Sequence, residues 1–524
     1  MRKKNPNQKR RGLLTPILGL LLLTIGCLVY FSARWYAYLY GAQSFNSILV
    51  TLFSGIDGAA GNIMLNYCCE VVMMTLICAV GLTLWCCHRS RFHIRLNLLG
   101  KKITLSPVRP AVYLTASVLL CVLGIYQAAK IVQLPQWLED VTNASTLLDE
   151  EYVDPSEVTI TFPEKKRNLI YILVESMETT FCSTEQGGFM DKSVIPELEE
   201  LALENLSFSN TDGLGGWSNT IGTSWTSGAI VGQTAGLPLL LPFGRNNSSY
   251  LDRPLASVTM LWDILHQEGY YQAMMLGSDS NFSGKANLMT GHGFDKIYDW
   301  YTAQEDGLIP QGYEVWWGFE DSKLFEYARQ ELPKIAAREE PFQFTLLTVD
   351  THMPEGYVCP DCPNTYSEQY ENVYACSSAQ VAAFVRWLQE QPFYENTTVI
   401  VCGDHLSMER GYFQRAGLWT VNRRVYNCFL NSVVETENTK NRELTSMDMF
   451  PTTLASIGCQ IEGNRLGLGT NLFSDQPTLA ERMGLEQLDR ELNSSTMPYM
   501  FRFLLDTERS QWLKDKFPSL AGQK

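Results

Sequence analysis

Three long apolar runs near the start of the chain constrain its fold more than any other feature. Leu13–Ala33 (LLTPILGLLLLTIGCLVYFSA) carries no charge over about the length that a helix needs to cross a hydrocarbon core of ~30 Å. A second run, Leu65–Cys87, contains VVMMTLICAVGLTLWCC, and a third, Ala111–Ala129 (AVYLTASVLLCVLGIYQAA), follows Pro110. Arg2, Lys3, Lys4, Lys9, Arg10 and Arg11 precede the first run. Arg89, Arg91, Arg95, Lys101, Lys102 and Arg109 fill the loop between the second and third, whereas Trp35 to His88 holds no Lys or Arg. Positive charge marks the cytoplasmic side. The pattern therefore predicts three spans, with the N-terminus and the 88–109 loop inside and everything after Lys130 outside. The sequence Val29-Tyr30-Phe31-Ser32-Ala33-Arg34-Trp35 is a poor cleavage site, so the first run reads as an uncleaved anchor. Gln43–Asn66 is apolar but too broken by Gly55, Asp57, Gly58 and Gly61 to span; it reads as an interfacial segment or an ordinary outer loop.

Charge divides the 524 residues at the same place. Up to Lys130 there are 14 Lys and Arg against 2 Asp and Glu; beyond it there are 27 against 54, for a formal net charge of −15 overall. A strongly acidic outer portion is unsuited to nucleic acid, which demands a clustered positive surface. The expected organisation is an anchor at 1–130, a polar linker at 131–167, a domain at 168–475 and a helical tail at 476–524. Helical patterning in the tail covers Leu485–Leu492, Met500–Leu505 and Gln511–Phe517. Seven of the 14 cysteines lie in or beside the apolar runs. Among the rest, Cys359, Cys362 and Cys376 cluster in one polar stretch, and in an oxidising space a disulfide is favoured among them over a zinc site, because no second CxxC or His pair completes a zinc pattern.

The outer half alternates between two periodicities. Asn168–Val174, Tyr270–Leu276, Phe342–Val349 and Thr397–Cys402 are nearly unbroken apolar runs, the mark of strands buried on both faces. Helical patterns at Pro196–Asn205, Val258–Glu268, Ser322–Arg338 and Ser378–Gln391 separate them. The alternation predicts an α/β domain with a mostly parallel sheet and helices on both sides.

In such sheets ligands bind at the carboxyl ends of strands. Glu175 follows the first run, Asp350-Thr351-His352 the third and Gly403-Asp404-His405 the fourth. Two of only six histidines thus stand directly after strands. Carboxylates with an imidazole suit a divalent ion such as Mn²⁺ or Zn²⁺. A nucleophile is available in the Gly/Ser/Thr-rich stretch 211–236, where Ser218, Thr220, Thr223, Ser224, Thr226 and Ser227 are all candidates. A hydroxyl at a helix start faces free N–H groups that favour an incoming phosphate.

The order Glu175-Ser-Met-Glu178, Trp225-Thr226, Leu237-Pro238, Thr348-Val-Asp-Thr-His352-x-Pro354 and Gly403-Asp404-His405 resembles the lipoteichoic acid synthase family, and in particular the phosphoglycerol transferases that modify glucans, within the alkaline phosphatase/sulfatase superfamily. The resemblance covers about residues 165–475 and extends to Thr445-Ser-Met-Asp448 and Arg465-Leu-Gly-Leu-Gly-Thr470. It implies a sulfatase-like domain, Thr226 as nucleophile, and Glu175, Thr226, Asp404 and His405 as ligands of a metal, Mn²⁺ or another divalent ion. It also implies substrate-side roles for His352 and for Lys285 in Phe282-Ser-Gly-Lys285. Lipoteichoic acid synthases resemble Phe-Trp-Asn-Arg at this last place and usually carry five spans, so the glucan-modifying branch is the nearer match; its members often add a C-terminal domain, whereas this chain stops at Lys524. The implied reaction is transfer of phosphoglycerol from phosphatidylglycerol to a hydroxyl of a surface glycan or teichoic-acid-like acceptor, through a glycerophospho-threonine, on the outer face of a bacterial membrane. A phosphoethanolamine transferase of the same superfamily and an inactive membrane sensor are the alternatives. A sulfatase activity would require a Cys/Ser-x-Pro-x-Arg motif, which is absent around Thr226.

Overall fold

The computed structural model describes residues 6–40, 65–88, 95–98, 101–104, 110–135, 138, 145–240 and 254–504, and the chain divides into two compact units, one holding the N-terminal helices and the other the region after Trp137. In the first unit, α1 (Pro6–Tyr40), α2 (Met73–His88, entered through helical residues from Leu65) and α3 (Pro110–Ile131) contain three stretches long and apolar enough to cross a membrane. These are Thr15–Tyr38, Leu65–Cys86 and Ala111–Ile131, with mean hydropathies of 2.1, 2.0 and 1.8. They coincide with the three expected spans, except that the first continues past Ala33 to Tyr38. Trp35, Tyr36 and Tyr38 lengthen it with the amphipathic rings that suit a membrane interface.

In lipid, helices associate by close packing of small residues, because tails are as apolar as leucine. Here a Cβ added at Gly124 would lie 2.6 Å from the carbonyl oxygen of Gly26, and one at Gly26 would lie 2.6 Å from the Cα of Cys121. The backbones of α1 and α3 thus touch where only glycine fits. Arg95–Leu98 and Lys101–Thr104 form an antiparallel hairpin within the basic loop. Nearly all of the segment Gln43–Asn66 lies outside the described residues.

The second unit is built on a six-stranded sheet: β1 (Asn168–Val174), β2 (Tyr271–Leu276), β3 (Lys296–Tyr298), β4 (Phe342–Leu347), β5 (Thr397–Gly403) and β6 (Asn427–Leu430). The spatial order is β3-β2-β4-β1-β5-β6, parallel throughout except for β6, which runs antiparallel to β5. β1 shows why its sequence is apolar without a break. Leu169, Tyr171 and Leu173 enter one core, while Ile170, Ile172 and Val174 enter the other. Each such side chain contributes roughly 1.5–3 kcal/mol by leaving water. The first core is closed by α5 (Thr226–Ala235), α6 (Leu261–Gln267) and α9 (Met449–Ser456), and the second by α4 (Pro196–Glu204), α7 (Asp321–Ala336) and α8 (Gln369–Gln389).

The four expected strands form β1, β2, β4 and β5. Periodicity missed β3 and β6, of three and four residues, because so short an edge strand shows no period. The stretch expected as a linker packs against the domain from residue 145 onward. Leu147 and Leu148 are buried in the first core, and Ile160–Thr161 pairs with Gln460–Ile461. The tail contributes Leu488, Leu492, Tyr499 and Phe503 to that same core. Residues 505–524, including the expected helix Gln511–Phe517, lie outside the described residues. Cys359, Cys362 and Cys376 do come together but are not bridged: all three are free, with Cys359 Sγ 3.5 Å from Cys362 Sγ and 3.7 Å from Cys376 Sγ.

Candidate metal centre and active site

β1 and β5 are parallel neighbours in a register that pairs Val174 with Gly403, so the residues that leave their ends emerge side by side. Glu175 follows one strand and Asp404 the other, and both are buried. The chain turns at once after Glu175 through Ser176, whose φ of 55° is left-handed. That turn aims the Ser176 N–H at Asp404 Oδ1, at 2.7 Å, and the same oxygen accepts from the N–H of the next residue, His405, at 2.8 Å. Gly403 permits the close approach, since a Cβ there would sit 2.1 Å from the Met177 carbonyl oxygen.

The remaining oxygen, Asp404 Oδ2, has no hydrogen-bond partner, and neither has His405 Nε2, although both are buried. His405 Nδ1 contacts the Leu406 carbonyl oxygen at 2.9 Å. This turns Nε2 toward the carboxylates, 3.3 Å from Asp404 Oδ2 and 3.8 Å from Glu175 Oε1. Burial, then the neighbouring charge of Glu175, pushes the Asp404 carboxyl up to about 7. Burial alone would lower His405, but the carboxylates of Asp404 and Glu175 outweigh it and raise it. Orphaned buried polar atoms of this kind cost free energy unless something satisfies them. Glu175, Asp404 and His405 offer three ligand atoms within 4.8 Å of one another, a donor set that fits a borderline divalent cation.

Thr226 opens α5, after the extended residue Trp225. Its Oγ1 donates to Glu175 Oε2 at 3.4 Å. α5 is locked in place by Gln233, whose Nε2 donates to the carbonyls of Gly403 and Asp404 at 3.4 and 3.3 Å, while its Oε1 accepts from Tyr171 at 2.8 Å. Of the other candidate hydroxyls, Ser218 donates to Glu443, Thr223 to the Thr220 carbonyl and Ser227 to Ser283. Of these four, Thr226 is the one bonded to Glu175.

Lys285 and His352 approach from the ends of β2 and β4. The bond between Ser227 Oγ and Ser283 Oγ, at 2.9 Å, ties the Phe282–Lys285 turn to the start of α5. Lys285 is buried, donates to the Phe282 carbonyl at 2.7 Å, and is pushed down to about 8 by burial, a drop limited by the charges of Asp279 and Glu175. His352 Nδ1 is 2.7 Å from the Met353 carbonyl oxygen, so in the neutral ring Nδ1 carries the proton and Nε2 is an acceptor. Burial pushes His352 down to about 4. Its ring lies 4.5 Å from that of Trp317, which lies 5.4 Å from Phe282.

Not every strand-end group joins the site. Asp350 turns away and pairs with Asp321, each accepting from the other's backbone N–H at 3.2 and 3.1 Å. Glu178, in the same motif as Glu175, is a buried partner of Arg423 at 2.9 Å. Sequence reading missed Trp317, Asp321 and Arg423. The adjacent pair Trp316-Trp317 before Gly318 was a visible signal for the first; nothing local marked the other two.

A family model described as Sulfatase matches residues 167–458. Phosphoglycerol transferase I of Escherichia coli (strain 55989 / EAEC) is 29% identical over 331 residues, which is 62% of this chain and 41% of that protein. The chain therefore spans well under half the length of that relative. Among solved structures, the lipoteichoic acid synthase LtaP from Listeria monocytogenes is similar at a TM-score of 0.47 and 19% identity, over 64% of this chain and 81% of that one. The Streptococcus pyogenes phosphoglycerol transferase GacH, in complex with sn-glycerol-1-phosphate, is similar at a TM-score of 0.41 and 13% identity, over 73% and 93%. The Sulfatase match takes in more than half of the chain and all six strands of the sheet that carries the site: this chain belongs to the sulfatase family.

Proposed function

We propose that the chain transfers phosphoglycerol from phosphatidylglycerol to a hydroxyl of a surface glycan or polyglycerol phosphate acceptor, with Thr226 as the nucleophile. The observation that carries the reading is the Thr226 hydroxyl, set at the first position of a ten-residue helix and bonded to Glu175 beside the orphaned atoms of Asp404 and His405. The name of the 29% identical relative supports the choice of phosphoglycerol over other groups.

Glu175, Asp404, His405 and the Thr226 oxygen would hold a divalent cation, Mn²⁺ foremost. When bound, such an ion lowers the pKa of a hydroxyl and neutralises charge on the phosphoryl oxygens. The protein's own groups do the rest. Thr226 Oγ1 attacks phosphorus as its proton leaves on the side of Glu175, the bond to the diacylglycerol oxygen breaks, and that oxygen is protonated and departs. An acceptor hydroxyl then attacks the glycerophospho-threonine and releases Thr226. Free N–H groups at the start of α5 and the ammonium of Lys285 stabilise the anionic phosphoryl group. His352 is neutral at pH 7 with Nε2 as an acceptor, which suits receiving a proton from a hydroxyl of glycerol or acceptor rather than protonating a leaving oxygen.

The basic flanks support a position for the second unit on the outer face, where tethering to the bilayer would bring a lipid donor within reach in two dimensions. Because that unit is acidic overall, donor capture must be local, and raised ionic strength should leave activity in place where it would strip a protein held by a basic patch. The test is to incubate the full chain with Mn²⁺ and labelled phosphatidylglycerol. Diacylglycerol release, and a glycerophosphoryl adduct on the Thr226 peptide by mass spectrometry, are expected. An adduct of phosphoethanolamine mass formed from phosphatidylethanolamine would reassign the donor. Turnover undiminished in Thr226→Ala would overturn the reading.

A further inference from the structure

Cys359, Cys362 and Cys376 belong to neither the sheet edge nor the reaction above. Cys359 and Cys362 sit on the loop that leaves His352, closed by a turn in which Cys362 N donates to the Cys359 carbonyl at 3.1 Å. Cys376 lies on α8, and Gln380 follows one helical turn later on the same face. The three sulfurs offer ligand atoms within 4.8 Å of one another, with Cys359 Sγ 3.5 and 3.7 Å from its two neighbours. A disulfide needs about 2.05 Å. A tetrahedral zinc ion with Zn–S bonds of about 2.3 Å separates its sulfurs by about 3.8 Å, close to what is found.

A second observation comes from Gln380. Its Nε2 lies 3.5 Å from Cys359 Sγ and 3.3 Å from Cys376 Sγ, and its Oε1 is buried without a hydrogen-bond partner. Thiolate sulfurs only accept, so they cannot satisfy that oxygen; turned end for end, the amide would present it instead to a cation held among the sulfurs. The spacing Cys359-x₂-Cys362 followed by Cys376-x₃-Gln380 on a helix then supplies four donors from a tight turn and one helix face.

We propose that Cys359, Cys362 and Cys376, as thiolates, and the side-chain oxygen of Gln380 bind one structural Zn²⁺ ion. Binding releases three protons and leaves the site with one negative charge; no oxidant or reductant is consumed. The ion joins the loop that begins at His352 to α8. It is independent of the Glu175, Asp404 and His405 site, so the two can be tested apart.

The full chain, isolated in detergent without chelator or reductant, is analysed for metal and for thiols. One equivalent of zinc should be lost on Cys376→Ser or Cys362→Ser and retained on Asp404→Asn. Replacement of zinc by Co²⁺ should give the intense near-ultraviolet band of thiolate-to-cobalt charge transfer, which a site of two carboxylates and an imidazole cannot produce. The wild-type protein should resist alkylation at these three thiols until a chelator is added. A peptide joining two of the three cysteines, two hydrogens lighter than the thiols, would overturn the proposal. So would three thiols that alkylate freely without chelator and show no cobalt band. Neither result depends on transferase activity or on a variant that folds.

Discussion

Replacing Lys285 with methionine tests the electrostatics of the site, because the structure buries this ammonium beside the region where an anion must bind. Its pKa falls from the usual 10.5 to about 8, chiefly by burial. That difference corresponds to about 3 kcal/mol by which the charged form is disfavoured in the empty site. A bound phosphodiester supplies the missing counter-charge. Charge-assisted hydrogen bonds of this type contribute about 1.5–3 kcal/mol, so Lys285→Met should lower kcat/KM roughly 10- to 100-fold at pH 7. In the wild type, kcat/KM reports the free enzyme and should fall as pH rises through about 8, when Lys285 loses its proton. The limb in kcat should lie higher, since bound donor holds the proton on. Lys285→Arg should erase the limb near 8, because a guanidinium stays charged there. Stability should move the opposite way. The folded pKa is below the unfolded one, so the cost of burying the ammonium is complete below about 8 and lifts as pH rises toward 10.5. Lys285→Met should therefore melt at a higher temperature than wild type at pH 7 and lose that advantage by pH 10.5. Initial rates of diacylglycerol release from pH 6 to 10, with thermal melts from pH 6 to 10.5, decide the matter. A Lys285→Met enzyme that keeps the limb near pH 8, or whose kcat/KM falls less than about threefold, would refute the assignment.

Gly403→Ala should force the strand end apart, since its Cβ would meet the Met177 carbonyl oxygen at 2.1 Å; a loss of about 1–3 kcal/mol and failure to retain the catalytic metal are expected in melts and metal analysis. Arg423→Ala leaves Glu178 buried and unpaired at the site of a 2.9 Å ion pair, and should cost about 3–5 kcal/mol in denaturant titration, whereas Arg423→Lys should recover part of it. Trp317→Ala removes the ring packed 4.5 Å from His352 and admits water to it. Burial holds His352 near 4; with that burial relaxed its pKa should rise toward 6.5, so an acid limb should appear in kcat/KM between about pH 5 and 6.5 that the wild type lacks.

Much of this architecture is legible in the sequence alone. Lipid demands unbroken apolar length, so the three helices of the first unit that are long and apolar enough to cross a membrane could be counted and the charges beside them noted. A strand buried on both faces admits only apolar residues, so β1, β2, β4 and β5 stood out, and with them the positions just past their ends where Glu175, His352 and Asp404-His405 lie. Strands β3 and β6 escaped because their three and four residues owe their pairing to neighbours in the sheet rather than to a pattern of their own. The stretch after residue 145 read as linker because its few apolar residues, Leu147 and Leu148 among them, are too sparse to show a period, yet they are buried. Composition alone could not choose among six hydroxyls; resemblance chose Thr226, and the fold placed that hydroxyl against Glu175 while turning Ser218, Thr223 and Ser227 elsewhere. The same holds for carboxylates of identical chemistry. Asp350 and Glu178 stand within a few residues of strand ends, as Glu175 and Asp404 do, but one was drawn to Asp321 and the other to Arg423. Sequence by itself determined which segments are long and apolar enough to cross a membrane and which are buried in the sheet, because burial is dictated by each residue's own cost in water. Only tertiary structure decided which polar groups share a site, because that depends on strand register and on turns that bring together atoms more than two hundred residues apart, as with the Ser176 N–H and Asp404.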